Sequence, residues 1–168
     1  MSDPVSVSLA KEIGFETKKK HDSDSFCCKI PIFNDYLKKI ANQDASKNRA
    51  TVYLAVKYDK PAPKKVYGYF TTNAFSLSAK ETCNIFLPSA TYGYLPAIMI
   101  GRLSIYKDQN LLRGYELLCQ ILIKCKELSE EVGVLIVVVD PMDNKAYKFY
   151  LRQGFFAVSE YSERSLDI

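Results

Sequence analysis

Six consecutive apolar residues, Val134 to Val139, stand between Gly133 and the break at Asp140-Pro141. The run is far short of the roughly 20 residues that a membrane-spanning helix needs. Its Val and Ile content suits a strand covered on both faces. Ahead of it, Leu111, Tyr115, Leu118, Leu122 and Cys125 recur at helical spacing, flanked by Leu117, Ile121 and Leu128, and Gly133 is placed to cap that helix. Ahead of the helix, Leu95 to Tyr106 reads as a further apolar strand, in which Gly101 marks a bulge or a close approach of backbone. Strand, long helix and covered strand in succession predict an α/β layered fold. At 168 residues, a single domain spanning 1–168 is expected.

The remaining segments fill out that sheet. Ile32, Phe33, Tyr36, Leu37 and Ile40 give an amphipathic helix over Ile32 to Ala41, with Pro31 suited to its first turn. Ala50 to Lys57 and Lys65 to Thr72 read as a strand pair around a Pro-containing loop, and Asn73 to Ala90 as mostly loop. Asn144 to Arg152 is helical, Gln153-Gly154 ends it, and Phe155 to Glu160 forms a last strand. The strand directions are therefore mixed. With 48% hydrophobic and 25% charged residues, the chain has the composition of a folded globular domain rather than a disordered one. Five cysteines without paired C-x-x-C spacing read as free, buried thiols, and no metal site is expected. The first residues carry Lys18, Lys19 and Lys20 but no apolar signal region, so a cytoplasmic protein with no membrane partner is expected. The net charge of +4 permits an anionic partner without requiring one.

Two units carry chemistry. Strand Ile98 to Tyr106, loop Lys107 to Gly114 and the helix that follows form a junction where unpaired backbone N–H groups and the helix dipole favour a phosphate, with Arg113 able to add a charge-assisted contact. An ordinary connection with Arg113 in solvent is the alternative. The second unit is Asn144 to Phe155, in which Phe149-Tyr150 precedes the Gly154-Phe155 turn; an aromatic pair of this kind serves either a site or the core.

Together these units resemble the Gcn5-related N-acetyltransferase (GNAT) superfamily, whose later helix carries N-x-x-A-x-x-F/L-Y-x-x-x-G-F. Asn144, Ala146 (beside the consensus small position), Phe149-Tyr150 and Gly154-Phe155 follow that pattern. Further segments resemble the GNAT-type toxins of type II toxin–antitoxin modules: His21-Asp22 through Phe26-Cys27-Cys28, Phe33-Asn34-Asp35-Tyr36-Leu37, Gly68-Tyr69-Phe70-Thr71, and Leu95-Pro96 ahead of Gly101-Arg102-Leu103-Ser104-Ile105. One position departs from the pattern. Gln109-Asn110-Leu111-Leu112-Arg113-Gly114 aligns with Q/R-x-x-G-x-G/A, so Leu112 replaces the first glycine and only Gly114 keeps a small residue.

The resemblance implies a mixed, mostly antiparallel sheet, splayed at the cofactor strand and flanked by helices. It implies acetyl-CoA as cofactor, held by Leu103, Ser104 and Ile105 on the strand, by Gln109, Asn110, Leu111, Leu112, Arg113 and Gly114 in the loop, and by Asn144, whose alternative role is a helix N-cap. It implies Tyr150 as the catalytic phenol beside the sulfur. It further implies an aminoacyl-tRNA acceptor contacted by Lys38 and Lys39, with Lys18 to Lys20, Lys64 and Lys65 as further candidates, a ribbon-helix-helix antitoxin and a homodimer. His21, Cys27 and Asn34 read as structural. Two other functions compete: acetylation of a small amine or a protein amine, and a degenerate GNAT fold that serves as a binding module, suggested by Leu112.

Overall fold

A computed structural model describes residues 13–17, 22–57, 65–78 and 93–158. In chain order the elements are strand β1 (Ile13–Thr17), helix α1 (Pro31–Asp35), a π-helical turn (Tyr36–Ile40), helix α2 (Ala41–Ser46), strands β2 (Thr51–Lys57), β3 (Gly68–Ser78) and β4 (Tyr94–Ile105), helix α3 (Gly114–Val132), strand β5 (Ile136–Val139) and helix α4 (Asn144–Arg152). The strands lie in the order β1-β2-β3-β4-β5. The first three pairings are antiparallel and β4–β5 is parallel, as expected where a helix crosses over between them.

Alternation along the strands creates two cores. Val52, Leu54, Val56 and Tyr69 face α1, the π turn and α2, where Phe26, Tyr36 and Leu37 complete the layer. Ala55, Phe70, Ile98 and Ile100 face α3, which contributes Leu117, Leu118, Ile121 and Cys125. Each large side chain buried in these layers contributes on the order of 1.5–3 kcal/mol relative to exposure.

The predicted bulge is at Gly101. The β3–β4 register passes from Thr71↔Arg102 to Thr72↔Ile100, leaving Gly101 as the extra residue. This changes the parity of β4: Ile98 and Ile100 before the bulge, and Leu103 and Ile105 after it, all meet the α3 layer. Arg102 consequently turns to the opposite face, where its guanidinium lies over the ring of Tyr36. The Arg102 N–H donates to the buried Thr71 hydroxyl at 3.0 Å instead of to a ladder carbonyl. A Cβ at 101 would stand 3.0 Å from the same oxygen, which is why glycine occupies the bulge.

Several expectations are corrected. The first helical stretch runs from Pro31 to Ser46, longer than the Ile32–Ala41 spacing suggested, because a π turn joins its two halves. β1 was not legible from the sequence. β3 continues through Ser78, so the loop begins later than Asn73, and residues 79–92 lie outside the described part. Residues 155–158 form no strand: Gly154, at φ +90°, turns the chain, and the Phe155 N–H donates to the Tyr150 carbonyl at 3.1 Å, tying this segment to α4 rather than to the sheet. β5 is half-buried rather than covered on both faces by the described residues. Cys28 and Cys125 are buried as expected, whereas Cys119 is exposed and Cys27 lies between. Gly133 does cap α3 in the left-handed conformation, its N–H donating to the Ser129 carbonyl at 3.0 Å. No described helix is long and apolar enough to cross a membrane.

Candidate active site

The site is a fork in the sheet. β5 pairs with β4 only from Ala97↔Ile136 to Ile100↔Val139. Beyond Ile100, β4 keeps its antiparallel partner β3 through Gly68↔Ile105 but has no described strand on its other edge. The Tyr106 N–H donates to the Tyr67 carbonyl at 2.8 Å, so alternation turns the backbone groups of Arg102 and Ser104 toward β3 and those of Leu103 and Ile105 toward the open edge. The Lys107 N–H donates to the Cys27 carbonyl at 2.9 Å just past the end of that edge. Leu103 and Ile105 thus present free hydrogen-bonding backbone to an extended ligand. Ser104 does not: its side chain is buried and its backbone faces β3.

The loop after β4 is braced from within. The Gln109 carboxamide oxygen accepts from the N–H groups of Leu111 and Leu112 at 2.7 and 2.8 Å, and its NH₂ donates to the Leu112 carbonyl at 2.6 Å. Gln109 therefore faces its own loop. Leu112, in the place of a glycine, sends its side chain into the core, where its Cδ2 would stand 3.0 Å from a Cβ at position 68. Asn110 and Arg113 are exposed and Leu111 is half-buried.

α3 begins immediately afterwards, and its first intrahelical bond is Leu117 N–H to the Arg113 carbonyl at 3.0 Å. The N–H groups of Gly114, Tyr115 and Glu116 have no acceptor within the helix, as at any helix start. The Glu116 carboxylate folds back to accept the Arg113 N–H at 2.7 Å, and Tyr115 donates its hydroxyl to the other carboxylate oxygen at 3.4 Å. Sequence reasoning missed Glu116, because an Arg at the N-cap hides the usual Ser/Thr-x-x-Glu signature. It also missed the role of Thr71, although that residue ends the Gly68-Tyr69-Phe70-Thr71 motif.

α4 closes the site from the α3 side. A Cβ at Gly114 would meet the Phe149 ring at 3.9 Å, so the start of α3 and the middle of α4 are in contact. Tyr150 packs edge-on against Phe149 and Phe155, with centroids 5.2 and 5.4 Å apart. Burial of its ring pushes its pKa up to about 12. Among the described residues nothing hydrogen-bonds its hydroxyl. At the start of α4 the N-cap is Asp143, whose carboxylate accepts the Ala146 N–H at 2.7 Å. Asn144 is not the cap; it is exposed in the first turn.

The other predicted residues lie on the opposite face of the sheet. Lys38 and Lys39 are exposed on the π turn, and Lys39 pairs with Asp35 at 2.9 Å. Asn34 clamps Cys28 on both sides, accepting its N–H at 2.7 Å and donating to its carbonyl at 3.3 Å, in keeping with a structural role. His21, Lys18 to Lys20 and Lys64 lie outside the described residues. An apolar cavity of about 360 Å³ between β5, Leu77, Leu122 and Phe155 includes none of the predicted site residues.

The backbone edge at Leu103 and Ile105, the open first turn of α3 and a phenol with a free hydroxyl fit the three parts of an acyl-CoA: pantetheine, pyrophosphate and thioester. The fit at the pyrophosphate end is partial, because Gln109 takes two loop N–H groups and Glu116 a third.

No protein-family model matches the chain. It is 26% identical over 125 residues, or 72% of its length, to a "Probable toxin TacT" of Sinorhizobium fredii; the aligned stretch spans 66% of that relative, just under two thirds. Among solved structures it is similar to a Tyr→Phe mutant of KacT (TM-score 0.76, 24% identity, 90% of this chain and 92% of that one). It is also similar to AtaT complexed with acetyl-methionyl-tRNAfMet (TM-score 0.77, 21% identity, 90% and 91%). A Tyr→Phe mutant of AtaT has been solved with the C-terminus of the antitoxin AtaR and acetyl-CoA (TM-score 0.71, 21% identity, 89% and 88%). The chain has the GNAT fold in the form these toxins share.

Proposed function

We propose that the chain is an acetyl-CoA-dependent N-acetyltransferase, a toxin whose acceptor is the α-amine of an aminoacyl-tRNA. The observation that carries the reading is the fork itself: a strand edge at Leu103 and Ile105 and a half-buried phenol at Tyr150, both packed on the layer that α3 covers and neither given a hydrogen-bond partner by the described residues. AtaT, on the same fold, was solved with acetyl-methionyl-tRNAfMet, which supports this class of acceptor.

The donor supplies an acetyl thioester, whose C–S bond breaks as the new N–C bond forms while the amine's proton passes to solvent and the sulfur gains one. Leu103 and Ile105 orient that chain by strand-like hydrogen bonds. The first turn of α3 offers its N–H groups and dipole to the pyrophosphate. Tyr150, protonated at any working pH with its pKa near 12, serves as hydrogen-bond donor to the departing sulfur. Full transfer of its proton to a thiolate, whose reference pKa is about 8.5, would be uphill, so we assign it the hydrogen bond rather than the complete proton transfer. An α-amine has a reference pKa of about 7.7–8.0 and is partly neutral near pH 7, so the site needs no strong base.

The same reading places the chain in the cytoplasm, where charged tRNA is found, with an antitoxin of ribbon-helix-helix type and a homodimeric state. Incubation with labelled acetyl-CoA and bulk charged tRNA tests it: label should appear on the amine of the aminoacyl group. Label on free amines or proteins but not on tRNA would favour the small-amine or protein-amine reading, and no acetyl-CoA binding at millimolar concentration would favour the binding module.

A further inference from the structure

The face of β4 away from Tyr150 holds a cation, Arg102, that no carboxylate among the described residues pairs with. Arg102 is the first residue past the Gly101 bulge, at the level where β5 has left the sheet. It is half-buried, and its guanidinium carbon lies 3.6 Å from the centroid of the Tyr36 ring. Tyr36 in turn stacks on Tyr69, with centroids 6.3 Å apart and planes at 18°. The Tyr69 hydroxyl donates to the Phe33 carbonyl at 2.9 Å, fixing the stack to α1. The guanidinium is therefore held flat and oriented.

Among the described residues its charge pairs with no carboxylate. Among the described residues the ion pairs are Lys39–Asp35, Arg49–Asp44, Lys124–Glu127 and Lys126–Glu130, and no side-chain donor of Arg102 has a partner. Asp44, the carboxylate beside Tyr36, pairs with Arg49 at 3.8 Å. A second observation comes from the helix. Tyr36 opens the π turn, its carbonyl accepting the Ala41 N–H five residues on. Such turns cost helix regularity and occur disproportionately at functional sites.

An oriented, half-buried guanidinium whose donors meet no partner among the described residues matches the planar fork that binds phosphate oxygens in pairs, and stacking on an aromatic ring pre-organises it. The α3 side of the fork is filled by α3, Leu112 and the aromatic residues of α4. An acceptor amine has the other face left to it, and that is the face of Arg102. We propose that Arg102, stacked on Tyr36, seats a phosphodiester of the tRNA acceptor end while its aminoacyl amine enters the fork. The inference rests on the tRNA reading above and deepens it.

The test compares wild type, Arg102→Met, which keeps the apolar stem without the charge, and Arg102→Lys, which keeps charge without the planar stack. Binding of charged tRNA is measured over a salt series, and acetylation as a function of tRNA concentration. For Arg102→Met, the slope of log affinity against log salt falls in magnitude by about 0.7–0.9, the value of one phosphate contact. KM for tRNA rises about tenfold with kcat little changed, and acetyl-CoA affinity stays at the wild-type value. Arg102→Lys keeps the wild-type slope but binds less tightly. A wild-type slope and KM in Arg102→Met overturn the seat while leaving the acetyltransferase intact. Failure of the wild type to bind charged tRNA overturns the acceptor itself. If Arg102→Met does not fold, phenylglyoxal labelling of wild type decides: tRNA alone must protect Arg102, and protection by acetyl-CoA alone, or by neither, refutes the proposal.

Discussion

Replacing Glu116 with Gln should tighten acetyl-CoA binding while slightly weakening the fold. The carboxylate accepts the Arg113 N–H at 2.7 Å, at the helix start where the pyrophosphate is proposed to lie. Gln keeps an acceptor oxygen and removes the charge. A phosphate oxygen on the neighbouring first-turn N–H groups would stand roughly 6 Å away, about two hydrogen-bond lengths. One unit charge at that separation repels by about 0.7 kcal/mol at the dielectric constant of water and about 2.8 kcal/mol at an effective value of 20. Glu116 is half-buried, which puts the effect near 1.4 kcal/mol, or about tenfold in Kd. The same carboxylate interacts favourably with the helix dipole, so its removal costs about 0.3–1 kcal/mol of stability, and Tm should fall by about 1–4 °C. Calorimetric titration of acetyl-CoA into both proteins, with melting curves alongside, reads both quantities. The affinity gain should shrink at high salt as the charges are screened. An unchanged or weakened affinity, with Tm lowered as expected, would mean that no diphosphate approaches the start of α3.

Three further consequences concern the fold that holds the fork. Thr71→Val would leave the Arg102 N–H at the bulge without its 3.0 Å acceptor, at a cost of about 1–3 kcal/mol in chemical denaturation; an unchanged midpoint would show that another acceptor takes over. Gly68→Ala would bring a Cβ to 3.0 Å from both the Ser104 carbonyl and the Leu112 side chain, and should cost about 1–3 kcal/mol. Burial raises the pKa of Tyr36 and Tyr150 to about 12 and that of Cys125 to about 11, and it raises that of Tyr69 as well. The unfolded chain releases these protons first, so the stability they contribute is complete below pH 9 and is lost as pH rises through 11 and 12; for Tyr150, from 10 to about 12, it is at most roughly 2.7 kcal/mol. Denaturation midpoints should therefore fall steadily above about pH 9–10, and a flat profile to pH 12 would contradict the burial of these groups.

The elements that place the site were legible because their signals are local. Gly101 within an apolar strand marked the bulge, Gly133 and Gly154 marked the ends of helices, and Phe149-Tyr150 ahead of Gly154-Phe155 marked α4. What the bulge does was not legible, since the flip of parity that turns Arg102 away from α3 depends on the register with β3. Gln109 and Leu112 show the same limit. A sequence shows a glutamine and a missing glycine, but that the glutamine closes on its own loop while the leucine fills the space beside Gly68 is a property of packing. β1 was missed because Gly14, Glu16 and Thr17 leave a five-residue segment with little apolar pattern, and the end of β3 because the exposed Ala74, Phe75 and Ser76 weaken its alternation; pairing with a neighbouring strand supplies what local preference lacks. The π turn at Tyr36 leaves no signature, because one extra residue per turn barely alters hydrophobic spacing.

The central claim is that the phenol of Tyr150 assists departure of the CoA sulfur at the fork. Single-turnover acetyl transfer to charged tRNA by wild type and Tyr150→Phe, with acetyl-CoA affinity measured on the same preparations, tests it most directly. The account predicts a rate about 10²–10⁴-fold lower with affinity within about twofold of wild type. A variant that transfers acetyl groups at the wild-type rate, or that loses activity only because acetyl-CoA no longer binds, would contradict it.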